Sequence, residues 1–375
     1  MLKKEGMLSK IIGVVIVIVA IILVVVLKNK FTKDEEFEEG KPVYCAVGGG
    51  KEDLLADEEI KKIFANKYGI RMVNDTWSNG KTVKIPVVRD DGSDYNLIFF
   101  SDERFYNYYK LPAQGDEAKR RTVVAGEQTL NTPIVIYSWK EVVDKLIEQK
   151  IVTIDDGVYY ITDMKKLMNF ILEGKEWKDI GLDIYGSINI GSVDPVTSSP
   201  GATYYGLLLS ILTNSNVNEE SIKEALPTLK KFYQKSGYMN NTPADLFSMF
   251  LKTGMGAKPM IVDYEKSVID FANTNPDGWK QVKDKVVVLY PTPTIWNSHC
   301  IAAFDEDGQQ VIKAFRDQDV SEIAWKKYGF RVGVTGGTYN VKTIGINGIP
   351  QEIRKVTPGL KMEYYNELIS YLSEK

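Results

Sequence analysis

Asp194-Pro195-Val196-Thr197-Ser198-Ser199-Pro200-Gly201-Ala202-Thr203-Tyr204-Tyr205-Gly206 lies between two apolar runs of different period. The run 187–193 reads as a strand and the run 201–213 as a helix, so the stretch is a strand-to-helix turn. Ser198 or Ser199 can cap that helix, and Pro200 at its first position needs no amide partner. Free amides and hydroxyls at a helix start suit an anionic or polar group, although ordinary capping with nothing bound uses the same residues.

The same unit repeats on either side. Residues 43–47 predict a strand, Gly48-Gly49-Gly50-Lys51 a loop, and 53–68 an amphipathic helix that Gly69 ends before a strand from 70 to 73. A strand over 96–100 leads to Ser101, an N-cap type, and an aromatic-rich stretch. Further on, 132–137 predicts a strand with Ser138 capping a helix over 139–149, and Thr162 caps a helix over 163–173 that Gly174 ends. Helices follow at Glu219–Lys235, 244–252, 265–273, 321–328 and Met362–Ser373. The runs 286–290, 301–304 and 311–315 read as β or mixed. Such alternation predicts α/β layers with a largely parallel sheet in each lobe. Residues 34–375 exceed the size at which one core keeps growing, so two lobes are expected.

The N-terminal end reads differently. Residues 11–27 form an unbroken apolar run, roughly 26 Å long as a helix and long enough to span a bilayer. Its flank lacks a small-x-small cleavage site, so an uncleaved anchor is expected, with residues 1–10 as a cytoplasmic tail and the C-terminal part exported. Residues 28–41 form a charged tether. The net charge of −3 conceals an asymmetry: residues 1–33 hold six Lys and one Glu, leaving −8 on the rest. An acidic ectodomain without a basic stripe argues against nucleic-acid binding.

Chemistry-bearing motifs are few. Gly48-Gly49-Gly50-Lys51 lets backbone approach a ligand closely but lacks the spacing of a phosphate loop. No G-x-S-x-G occurs, the carboxylates show no pairing pattern, and His299 is the single histidine, so no catalytic activity is expected. One His and two separated Cys cannot supply a closed zinc set, so no metal or cofactor is expected and His299 reads as a hinge or core residue. Cys45 and Cys300 could form one disulfide outside the cell, or could be two small buried hydrophobes.

Four segments, taken in order, carry a resemblance: Thr132-Pro133-Ile134-Val135-Ile136-Tyr137-Ser138-Trp139; the turn from Asp194 to Gly206; Tyr290-Pro291-Thr292-Pro293-Thr294-Ile295-Trp296-Asn297-Ser298-His299; and Ile323-Ala324-Trp325-Lys326-Lys327-Tyr328-Gly329-Phe330-Arg331. Together they resemble bacterial extracellular solute-binding proteins of the type II periplasmic-binding-protein fold, near the ABC-type molybdate/sulfate-like branch. The resemblance covers about 42–334. It implies a discontinuous lobe I (42–130 and 296–375, with a C-terminal extension from Thr335), a lobe II (131–295), and crossover strands near 132–136 and 290–302. It also implies a small-molecule or oxyanion ligand in the cleft, closure by hinge bending, and delivery to an ABC permease. Carried over by position, Gly49, Gly50, Lys51, Ser101, Asp102, Thr132, Ser198, Ser199 and Tyr264 would face that cleft. Asp102-Glu103 depart from the pattern, since their charges would repel an oxyanion if both pointed inward. With the anchor and the extension, they open a second role: an anchored scaffold or sensor of a cell-envelope system that binds a protein partner.

Overall fold

The structure, a computed structural model, describes residues 40–77, 85, 88–112, 120–240, 242–333 and 339–374. The expected anchor at 11–27 lies outside these residues, and among the described residues no helix is long and apolar enough to cross a membrane.

The strands are β1 (Lys41–Gly48), β2 (Ile70–Trp77), β3 (Leu97–Phe100), β4 (Ala125–Trp139), β5 (Val152–Asp155), β6 (Val158–Ile161), β7 (Met260–Tyr264), β8 (Val286–Pro291), β9 (Thr294–Ala303), β10 (Arg331–Val332) and β11 (Val356–Thr357). In one half, β2, β1 and β3 are parallel, while β9 runs antiparallel to β3 and pairs in turn with the first part of β4. In the other half, β4 lies between β7 and β8 and antiparallel to both; β6 is parallel to β8, and β5 closes the edge. The sheets are therefore mixed rather than largely parallel. The cause is β4 and β9, which carry the chain between the halves and run against the strands they meet. β4 is one 15-residue strand whose register passes from β9 to β7 and β8 near Pro133 and Ile134.

The helices are α1 (Glu52–Ala56), α2 (Glu58–Tyr68), α3 (Glu103–Tyr109), α4 (Lys140–Glu148), α5 (Met164–Glu173), α6 (Ser199–Leu212), α7 (Glu219–Lys235), α8 (Pro243–Thr253), α9 (Lys266–Thr274), α10 (Pro276–Val282), α11 (Glu306–Phe315), α12 (Gln318–Tyr328) and α13 (Met362–Ser373). Several starts differ from expectation for one reason. Asp57 splits the 53–68 helix, because its carboxylate accepts from Glu59 N and Ile60 N and caps α2. Asp102 caps α3 in place of Ser101, and Asp163 caps α5 in place of Thr162. In both, the acid after the hydroxyl residue takes the cap, since the preceding residue is still extended or in a turn and Asp accepts at least as well. Ser138 is not a cap either: it stays inside β4, buried, with Oγ donating to the Pro259 carbonyl 2.9 Å away.

Two further expectations fail. Residues 311–315 belong to α11, where Val311, Ile312 and Phe315 form one helical stripe that a five-residue window cannot separate from a strand. Residues 187–193 form no regular strand; Gly191 makes a parallel bridge to Ile261 of β7, while Ser187 and Val193 make isolated bridges to Glu176 and Asn240 outside the named strands. Glycine within such a run weakens it as a strand, and a Cβ at Gly191 would press to 3.2 Å on Ile261.

Each half has its own apolar core. In the first, one face of the sheet buries Val43, Leu97, Phe99 and Phe315, and the other Ile98, Phe100 and Phe105. Tyr137, Leu208, Phe250 and Leu289 centre the second. The tail after Arg331 is built into this second core through Ile349, Leu360, Leu368 and Leu372. Cys45 and Cys300 are buried free thiols, so the disulfide alternative is not the one adopted.

Candidate functional site

A cleft of about 810 Å³ opens between the two halves. From the first half come Gly49 and Gly50 on the loop after β1, and Ser101 after β3. The second half presents helix starts: Ser198 to Pro200 of α6, Thr242 to Ala244 of α8, and Lys266 with Ser267 of α9. Asn297 and His299 of the crossing strand β9 lie at its base.

The α6 start is set by close packing. A Cβ at Gly201 would fall 2.4 Å from the Val193 carbonyl, so only glycine lets the helix begin against the incoming chain. Ser198 holds the N-cap position, Ser199 is the first helical residue, and Pro200 follows one place later than expected. The Ser198 side chain makes no capping hydrogen bond, which leaves this end of the helix dipole turned to the cleft. The starts of α8 and α10 differ, for Thr242 Oγ accepts from Asp245 N and Asn275 Oδ1 from Gly278 N.

Six of the nine residues expected at the cleft line it: Gly49, Gly50, Ser101, Ser198, Ser199 and Tyr264. Burial, then Asp102, pushes the Tyr264 phenol up, so it stays protonated. Three do not line it. Lys51 is buried inside the first half, donating to Ser101 Oγ (2.8 Å) and the Gly48 carbonyl above the Phe99 ring, so it props the loop instead of touching the cleft. Burial lowers its pKa to about 7. Asp102 lines a small neighbouring recess instead of the cleft, paired with Arg104 (Nε to Oδ1 2.9 Å), both buried. Its charge is therefore neutralised and does not face the cleft. Thr132 is buried under the α9 start, where its Oγ accepts from Lys266 N at 3.2 Å.

Residue-type reasoning missed Lys266, Asn297 and the cleft role of His299. A signal was present: Asn297 and His299 stand two apart in β9, and that period places them on one face. Asn297 Nδ2 lies 3.0 Å from His299 Nε2, while Nδ1 is buried with no partner. Burial, then Lys51 and Lys266, lowers the imidazole pKa well below its usual value, so the ring is neutral. Asp270, one turn after Lys266, also lines the wall, and burial raises its pKa. Among the described residues no three His, Cys, Asp or Glu gather into a metal-binding group.

No family model matches this sequence and no curated protein matches it. Solved structures do share its fold. An extracellular solute-binding protein from Bordetella parapertussis superimposes with a TM-score of 0.57 at 11% identity, over 88% of this chain and 96% of that one. The ferric-binding protein from Campylobacter jejuni gives 0.55 at 13% identity over the same shares. A Trichodesmium protein in complex with iron and citrate gives 0.54 at 11% identity, over 88% and 98%. The fold is the mixed α/β, two-lobed one of the extracellular solute-binding proteins. At these identities the likeness concerns the fold alone, and it does not single out the molybdate/sulfate branch. A share of 88% is more than residues 42–334 hold, which accords with a C-terminal segment integral to the fold.

Proposed function

We propose that this chain is an extracytoplasmic solute-binding protein, without catalytic activity, that captures a small polar or anionic ligand between its two lobes. One observation carries the reading: the uncapped start of α6 on one lobe faces Gly49, Gly50 and Ser101 on the other across a roomy cleft. Contacts from both sides favour a closed state, and β4 with the link from β8 to β9 supplies the hinge. The apolar run 11–27 would anchor the chain with its lobes outside the cell, and delivery to an ABC permease would follow. Ferric ion, bound by some proteins of this fold by name, suits these residues poorly, since the cleft wall offers one neutral histidine, one carboxylate and one phenol, Tyr264, that burial keeps protonated.

Thermal unfolding of the full chain in mild detergent, with and without a panel of oxyanions, organic acids, amino acids, sugars and metal ions, tests this. A ligand at a hundred times its Kd should add about 2.7 kcal/mol of stability. A saturable rise with one chemical class is expected; no rise across the panel would overturn the proposal and favour a scaffold or sensor role.

A further inference from the structure

The cleft holds two polar groups that the protein leaves without a counterpart. His299 is 2% exposed, lies with Asn297 on the face of β9 that lines the cleft, and has an unpartnered Nδ1. With Asn297 Nδ2 donating to Nε2, the neutral ring carries its proton on Nδ1, as a donor with nothing to donate to. A buried donor in this state is costly, and a ligand acceptor removes the cost.

Lys266 is the second group. No acidic side chain lies within ion-pair reach of it among the described residues; its ammonium sits 5.0 Å from the centre of the Phe330 ring. The His299 ring packs edge-on against the same Phe330 at 5.1 Å, so the two donors flank one aromatic side chain. The α6 start, fourteen residues of helix without a side-chain cap, borders the same cleft. Three donors on a wall whose carboxylate, Asp270, is out of ion-pair reach of Lys266 call for a negatively charged oxygen group.

The rest of the wall restricts what bears that group. Asp270 is one helical turn from Lys266 and would repel a second negative charge, which favours a monoanion over a dianion. Phe247, Leu251 and Phe271 give the second-lobe wall an apolar surface. An inorganic oxyanion would leave that surface wet in a cleft whose volume matches those of organic-ligand sites.

Building on the solute-binding reading, we infer that the ligand is an organic monocarboxylate with an apolar body: its carboxylate meets His299 Nδ1, Lys266 and the α6 start, and its body lies on Phe247, Leu251 and Phe271. Calorimetric titration of the full chain with 3-phenylpropionate, 4-methylpentanoate and indole-3-acetate, each beside its neutral amide, tests it, with sulfate and a neutral sugar as controls. At least one acid should bind, at least tenfold tighter than its amide, and sulfate should not. In Lys266→Met and in His299→Phe, the preference for acid over amide should fall to within threefold; Lys266 is only half-buried, so its variant remains informative if the fully buried one fails to fold. Binding of sulfate or the sugar with none of the acids overturns this inference and leaves a solute receptor standing. Equal binding of acid and amide, or an unchanged preference in Lys266→Met, also overturns it. Silence across the whole panel also overturns this inference, while the receptor reading falls only if the broader panel is silent too.

Discussion

The two sides of the lobe interface are opposites. Away from the cleft lining, the buried charges Arg331, Glu265, Arg104 and Asp102 are matched. Arg331 of β10 donates to both Glu265 carboxylate oxygens at 2.6 and 2.7 Å, to the Pro350 and Gln351 carbonyls, and to Tyr339 Oη. Tyr290 Oη adds a 2.6 Å bond to the same carboxylate. Arg104, paired with Asp102, reaches Thr203 on α6 at 3.2 Å and lies over the Tyr365 ring of α13, so the C-terminal segment joins the halves there. On the cleft side, His299 Nδ1 has no hydrogen-bond partner, the α6 start has no side-chain cap, and Lys266 has no ion-pair partner among the described residues. The contrast is one that a ligand in the cleft would resolve, in line with the proposed function.

The matched side breaks with the largest effect. Arg331→Met leaves Glu265 charged, buried and unpaired, so unfolding by urea should show a loss of about 3–5 kcal/mol, with the slope against denaturant unchanged. Replacing Glu265 by Met as well should recover much of that loss. If the single change costs less than about 1 kcal/mol, the clamp is not what holds this side shut.

A smaller effect is expected under the cleft, where burial raises the Asp263 pKa to about 6. The folded state then holds a proton that the unfolded chain has released, so this group's contribution to stability falls as pH rises from about 4 to 6. The slope is at most about 1.4 kcal/mol per pH unit. Asp263→Asn should flatten stability over that window and make the protein more stable at pH 7, as urea melts at several pH values would show. An unaltered profile would mean that Asp263 has a partner there.

Smallest in stability is the α6 start. Because Ser198 makes no cap bond, replacing Ser198 and Ser199 by Ala should change stability by no more than about 0.5 kcal/mol. The same double change should weaken ligand binding by tenfold or more, about 1.4 kcal/mol. Large destabilisation with unchanged affinity would reverse the comparison, making this end structural as well.

Much of this was legible locally. The bounds of Glu219–Lys235 and Met362–Ser373 follow from apolar period and caps, and Gly69 and Gly174 do end their helices in the left-handed conformation. The strand-turn-helix around Ser198 was readable as a turn and helix, though not as a regular strand. Six cleft residues followed from the resemblance because loops after strands and starts of helices gather at one end of such sheets. What misled was charge: Asp102 read as a cleft repellent until Arg104 was seen to neutralise it, and Lys51 read as a ligand group until its amine was found beneath the loop.

The sequence by itself determined most of the alternation of strands and helices, the two-lobe size, the helix stops at Gly69 and Gly174, and the lack of catalytic motifs, because each is written within a few turns of chain. Only the tertiary structure decided which polar groups found partners. Glu265 and Arg331 are 66 positions apart, Arg104 and Thr203 are 99, and His299 was left over at the base of the cleft. Such pairings depend on the order in which β4 and β9 carry the chain across, which no local period encodes.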